Sequence, residues 1–180
     1  MGKQDAFSLI ELLFVMVVMA IIASIAIPGF SKWLPGYHLR SASDDLYSEL
    51  QFTKMKAIQN NGEWALVFNS GGGSYQVVSG GTDGDYSTAG DNTVEKTVSL
   101  SQYGSGVDYG HGAATAPIGA GFDNDITFNA DTVVFNSRGM INNPAGGYVY
   151  LQNSENASYG IGVLASGVIQ LRKWDGTSWD

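Results

Sequence analysis

The sequence predicts an α+β protein in which one long N-terminal helix precedes an antiparallel β-sheet head. Three observations predict it. No charged side chain occurs from Leu12 to Ser31. A stripe then recurs at helical spacing through Leu39, Ala42, Leu46, Leu50, Thr53 and Ala57. After Gly62 the pattern changes to short alternating segments separated by glycine-rich turns, the arrangement of a sheet that an amphipathic helix can cover.

The first element is the apolar run. At ~1.5 Å per helical residue, Leu12 to Ser31 spans roughly 30 Å, the hydrocarbon thickness of a bilayer, so a membrane-spanning helix is expected. Lys3, a lone positive charge ahead of the run, favours an orientation with the N-terminus inside and the remainder outside. Glu11 sits at the start of the run, where a carboxylate costs about 2.5–3.5 kcal/mol on insertion scales unless it finds a partner. Pro28 has no N–H to give the carbonyl of Ser24, so a kink or a loosened turn is expected there, against the alternative of a proline simply tolerated in a membrane helix.

A secretory signal peptide fits this segment poorly, because the run is long and carries an acid; a plain single-pass anchor leaves Glu11 unexplained. Ala6-Phe7-Ser8-Leu9-Ile10-Glu11, the apolar run and Pro28 together resemble the class III signal of type IV pilins and pseudopilins. The resemblance implies a pilin-like fold and cleavage between Ala6 and Phe7 by a prepilin peptidase, with N-methylation of Phe7. It also implies subunit assembly through Glu11 and Pro28, with Glu11 facing the methylated Phe7 amine of a neighbouring subunit. Ala6 departs from the glycine most often found there. Residues 1–6 are then a leader peptide, 7–34 a transmembrane and filament-core helix, 35–61 the amphipathic half of that helix and 62–180 a periplasmic β-rich head. The chain is expected in the bacterial inner membrane as a single-pass protein and in a periplasmic filament. Its partners would be the peptidase, other pseudopilins or pilins, inner-membrane lipid and a secretion or pilus assembly platform.

Pro35-Gly36 interrupts the next stretch. The helix either runs through or bends there, or a separate helix begins at a Ser41–Asp44 cap. Acids early (Asp44, Asp45, Glu49) and lysines late (Lys54, Lys56) suit the helix dipole, and Asn60-Asn61-Gly62 supplies the stop. Strands are expected at 64–68 and 75–78, joined as a hairpin by a loose glycine-rich loop. Others are expected at 94–100, 126–128, 132–135, 148–151, 159–164 and 168–172, the last two joined by Ala165-Ser166-Gly167.

Phe135-Asn136-Ser137-Arg138-Gly139, followed by Ile161-Gly162-Val163 and Gly167-Val168-Ile169-Gln170-Leu171, resembles the GspH/FimT-type minor pilin domain, as does 46–61 with Lys54-Met55-Lys56-Ala57-Ile58. This resemblance implies a minor pseudopilin of a type II secretion pseudopilus. The alternative is a minor type IV pilin for pilus assembly, DNA uptake or surface binding.

Composition narrows the remaining chemistry. There is no cysteine, so no disulfide and no His/Cys zinc cluster forms, and His38 and His111 are the only histidines. No serine lies in a Gly-x-Ser-x-Gly elbow, and Gly104-x-Gly106 lacks the strand and helix of a dinucleotide site, so no enzyme and no catalytic residue is expected. A net charge of −8 argues against a broad nucleic-acid surface. Only Arg172 and Lys173, beside Trp174 and Trp179 as stacking groups, are candidates for a DNA contact, with Asp175 and Asp180 diluting them. No cofactor is expected. Calcium is the one ligand weighed, at Asp83, Asp85 and Asp91 and at Asp123 and Asp125, which do not follow the EF-hand pattern and read better as solvated acidic loops.

Overall fold

The computed structural model describes residues 8–104, 106–119, 121–122 and 124–180, with the side chains of 26–32 outside that description. The chain divides into two compact units, Met1–Leu34 and Pro35–Asp180. One helix, α1, covers Leu9–Asn60, and its backbone is helical through Pro28, Pro35 and Gly36. No separate helix starts at Ser41: Ser43 turns its hydroxyl back to the carbonyl of Leu39 at 2.8 Å, and Thr53 does the same to Glu49 at 2.7 Å.

The stop at Asn60-Asn61-Gly62 is a Schellman ending. Asn61 takes a left-handed φ of 50°, its N–H donates to Ile58 O at 3.3 Å, and the Gly62 N–H donates to Ala57 O at 3.2 Å. The expected stripe is the buried face: Leu39, Ala42, Leu46, Leu50, Thr53 and Ala57 have no solvent exposure. Thr53 is tolerated within it because its hydroxyl is satisfied by the helix backbone.

The strands are β1 (Trp64–Asn69), β2 (Ser74–Ser79), β3 (Thr93–Ser99), β4 (Asp108–Tyr109), β5 (Thr132–Phe135), β6 (Gly147–Gln152), β7 (Ser158–Val163) and β8 (Ile169–Lys173). They form two four-stranded antiparallel sheets, ordered β3-β2-β1-β5 and β4-β6-β7-β8, where the sequence suggested one. The glycine-rich hairpin between β1 and β2 forms, its turn held by Gly72 N–H to Asn69 Oδ1 at 2.9 Å. The strand expected at 126–128 is reduced to a single bridge, Ile126 to Val149, and Leu100 leaves β3 for a short 3-10 turn ending at Tyr103. Strand β4, two residues long, was not expected.

One hydrophobic core joins the stripe of α1 to inward residues of both sheets, including Leu66, Tyr75 and Phe135 from the first and Val149, Leu151 and Ile161 from the second. Phe68 bridges the sheets: it stacks on Phe128 at 5.7 Å and meets Tyr109 edge-on at 6.3 Å. Burial raises the pKa of the Tyr75 and Tyr109 phenols, so both stay neutral across the working range.

Two glycines of the Asn136–Gly139 and Ala165–Gly167 turns meet beside the C-terminal end of α1. A Cβ on Gly167, at φ +77°, would collide with the Gly139 carbonyl, and the Lys54 ammonium donates to Gly167 O at 2.8 Å. Gly167→Ala is therefore expected to lower stability by about 2–4 kcal/mol. Gly36, inside α1 with nothing within 4 Å of its virtual Cβ, behaves oppositely, and Gly36→Ala should raise stability by about 0.5–1 kcal/mol. Urea unfolding of both variants checks the pair of signs.

Candidate functional site

Within the first unit, the described part of α1 is apolar on every side. Leu9, Ile10, Leu12, Phe14, Met16 and Met19 are each more than half exposed, the lowest of them Leu12 at 56%. A helix without a polar face needs an apolar cover from outside itself. Glu11 lies in the first turn of this segment, exposed, and has no ion-pair partner among the described residues. Its backbone N–H donates to Ser8 O at 3.0 Å. Ala6 and Phe7, the expected cleavage and methylation positions, lie outside the described residues. Pro28 is placed by its helical backbone only. Among the described residues no helix is long and apolar enough to cross a membrane. The apolar part whose side chains are described, 9–25, measures roughly 25 Å along its axis, short of a bilayer's ~30 Å; the expected run continues to Ser31, over positions whose side chains lie outside the description.

In the second unit, Arg172 and Lys173 end β8. The Arg172 guanidinium donates to the carbonyl of Trp179 at 3.2 Å, and the Lys173 backbone exchanges two hydrogen bonds with Asp180 at 2.8 and 3.0 Å. Trp174 is 7% exposed and meets Trp179 edge-on at 5.4 Å, while the Trp179 indole donates to Ala116 O at 2.6 Å. The expectation that Trp174 stacks on a base fails on that burial. The C-terminal tryptophans fasten the end of the chain to the head.

The acidic loops serve their own backbones. Asp91 Oδ2 accepts from Thr82 N–H at 2.7 Å and from its hydroxyl at 2.8 Å; Asp85 Oδ1 accepts from Ser87 N–H at 2.8 Å and its hydroxyl at 2.7 Å. These hydrogen bonds lower the pKa of both carboxyls. Among the described residues no group of three or more acidic, His or Cys side chains is placed to hold a metal. Asp123 lies outside the described residues. Asp125 instead pairs with His111, Nδ1 to Oδ1 at 3.0 Å, and the imidazole stacks on Phe122 at 4.2 Å. In the sequence His111 lies between two glycines, Gly110 and Gly112. Its partner is fourteen positions away, and no local pattern announces the pairing. The loop ends are clasped by a single residue: Gly110 N–H donates to Tyr150 O at 3.0 Å, and Tyr150 N–H donates to Asp125 O at 2.8 Å.

The family model described as type II transport protein GspH matches residues 42–167, from the buried half of α1 to the turn before β8. The chain belongs to this family. The prokaryotic N-terminal methylation motif matches residues 1–27, ahead of it. No curated protein matches. Among solved structures, the chain is similar to the minor pseudopilin EpsH from the type 2 secretion system of Vibrio cholerae. That likeness has a TM-score of 0.50 and 10% identity, covering 74% of this chain and 95% of that one. It is also similar to the type IV minor pilin FimU of Pseudomonas aeruginosa, with a TM-score of 0.47, 13% identity and coverage of 79% and 92%. The EpsH likeness is one of fold: a pilin-like α+β arrangement of an N-terminal helix and antiparallel sheets. In this GspH-family head, the match begins within the stripe that organises the core, at Ala42, and ends at Gly167, the glycine packed on Gly139.

The C-terminal turn supplies a pH test. Asp175 accepts hydrogen bonds from the Ser178 N–H, the Thr177 N–H and the Thr177 hydroxyl, which hold its carboxyl down at about 2 from the ordinary 3.8. A depressed carboxyl pKa favours the folded turn above pH 3.8, and the support is lost as pH falls through about 2. Carboxyl carbon NMR should place the Asp175 midpoint near 2 and show the Thr177 and Ser178 amides moving with it.

Proposed function

We propose that this GspH-family chain is a minor pseudopilin, a structural subunit of a type II secretion pseudopilus that spans the bacterial inner membrane once and holds its head in the periplasm. The observation that carries the reading is a helix that is apolar on all sides over its described N-terminal part and amphipathic from Leu39 onward, within a chain that matches both the GspH family and the methylation motif. The first part takes its apolar cover from lipid before assembly and from neighbouring helices afterwards. The second part is covered by the chain's own sheets.

On this reading a prepilin peptidase cuts between Ala6 and Phe7 and methylates the new amine. A methylated amine remains cationic, so Phe7 of one subunit is a partner for the Glu11 carboxylate of another. Pairing offsets desolvation only in good geometry, which makes the contact a register device between staggered subunits. The head then presents a surface to further pseudopilins and the assembly platform. No step of this function requires turnover.

Mass spectrometry of the native protein should find the mature chain starting at N-methylated Phe7; a terminus at Met1 or near Ile27 overturns the reading. Glu11→Ala is expected to leave insertion and the head's unfolding midpoint unchanged while incorporation into filaments falls at least about tenfold, read by cross-linking of sheared filaments. The minor type IV pilin alternative predicts lost pili or transformation with intact protein secretion when the chain is deleted. A salt-sensitive gel shift abolished by Arg172→Ala/Lys173→Ala would favour its DNA-binding form.

A further inference from the structure

Strand β5 is the outer edge of its sheet, and among the described residues part of that edge is unpaired. The bridge from Phe135 to Ile141 closes the end near Asn136, where Asn142 N–H donates outward to Val134 O at 3.1 Å. That bond shows which residues of β5 face away from β1. In an antiparallel ladder alternate residues turn their backbone groups to opposite sides, so Thr132 faces outward with Val134. The Thr132 N–H is taken by Asn129 O, whereas no backbone group among the described residues takes the Val134 N–H or the Thr132 carbonyl on this side.

The open stretch forms the wall of a cleft of about 460 Å³, lined by Tyr86, Asn129, Thr132, Val134, Asn142 and Pro144 among others. Among the described residues no Asp, Glu, Lys, Arg or His lines it, in a chain whose net charge is −8, and the adjacent Glu63 carboxylate is engaged by the Tyr86 N–H at 3.1 Å. The Asn142 amide donates to Glu63 Oε1 at 2.6 Å, which leaves its carbonyl oxygen as an acceptor, and the Asn129 side chain has no hydrogen-bond partner among the described residues. Just before β5, Ala130 and Asp131 both adopt left-handed φ values, 51° and 50°, which side-chain-bearing residues rarely take in succession. The chain thus enters β5 through a strained corner that leaves the edge uncovered.

We propose that this edge is a docking site for an extended, uncharged peptide segment of a partner protein, which adds to the sheet alongside β5. A carbonyl of the added strand accepts from Val134 N–H and its amide donates to Thr132 O, the two-residue repeat that one strand presents to another. Asn129 and Asn142 hydrogen-bond the segment's peptide groups, and Tyr86 and Pro144 cover small apolar side chains. An amide-lined cleft also suits a neutral saccharide, but a free donor and acceptor set on alternate residues of one strand matches a peptide backbone. The site belongs to the head alone, so it stands whichever filament takes up the subunit.

The test is an NMR titration of the full chain in detergent micelles with the blocked peptide Ac-Thr-Val-Thr-Val-Thr-NH2, and separately with chitotriose. The expected result is peptide-induced shifts centred on Val134, Thr132 and the Asn129 and Asn142 side-chain amides at millimolar peptide. These shifts should be insensitive to salt up to roughly 0.5 M, because no ion pair is involved. Val134→Pro, which removes the one N–H the added strand needs, should weaken binding at least about tenfold, while Val134→Thr, which keeps it, should bind as wild type. Should Val134→Pro fail to fold, Asn129→Ala/Tyr86→Ala is expected to weaken binding in its place. The proposal is overturned by shifts centred elsewhere, by no shifts, by binding that survives in the disabling variant, or by a response to chitotriose alone.

Discussion

The head depends on the burial of one helical stripe. Leu39, Ala42, Leu46, Leu50 and Ala57 lie at zero exposure in a core that also takes residues from both sheets, so each sheet reaches the other's apolar residues partly through the helix. A four-stranded antiparallel sheet with one uncovered apolar face is not stable in water, and α1 supplies the cover. The devices around it fix where the helix stops and how it turns. The Schellman ending at Asn61 redirects the chain into β1, Lys54 ties the last turns to the β7–β8 connection, and Glu49 forms an ion pair with Lys96 of β3. The glycines at 139 and 167 bring two turns into close backbone approach beside the same helix end, where a Cβ at Gly139 would meet Ile58 and Lys54.

The two parts of α1 follow opposite rules, and the sequence makes the difference visible. From Leu39 onward apolar residues recur three and four apart, which defines a face and hence something to bury it against. Before Ser31 they occur at nearly every position, which defines no face and demands cover all round. Glu11 is the exception inside the second pattern. An acid there is costly in a helix that stays in lipid, and on the proposed reading a cation from another chain offsets that cost.

What could be read from the sequence was what repeats locally. The stripe, the helix stop, and strands β1, β2 and β5 to β8 all carry a period or a turn signal, and all form. What could not be read was set by distant residues. β4 is two residues long and has no period to detect; it exists because Asp108 and Tyr109 pair with Gln152 and Leu151. Thr127 and Phe128 look like strand residues, but Phe128 is drawn into the contact between the sheets by Phe68, so only Ile126 keeps a bridge. The division into two sheets is decided by which strands pair, a matter composition does not encode. Trp174 and Trp179 offered the aromatic faces of a nucleic-acid platform in the sequence, and only burial reveals that Trp174 has no free face.

Several acidic side chains are engaged locally as well. Asp85 and Asp175 each accept the N–H and hydroxyl of the residue two positions on, and Asp91 those of Thr82 across its loop, so these carboxylates brace the loops that carry them. Carboxylates used in this way add to net charge without adding to a binding face. Two surfaces remain on which charge plays little part: the apolar helix up to Ile25 and, on the head, the cleft along β5. Recognition on such surfaces rests on backbone pairing and apolar burial. It changes little with ionic strength, which suits a subunit whose proposed place is inside an assembly rather than on a soluble charged ligand.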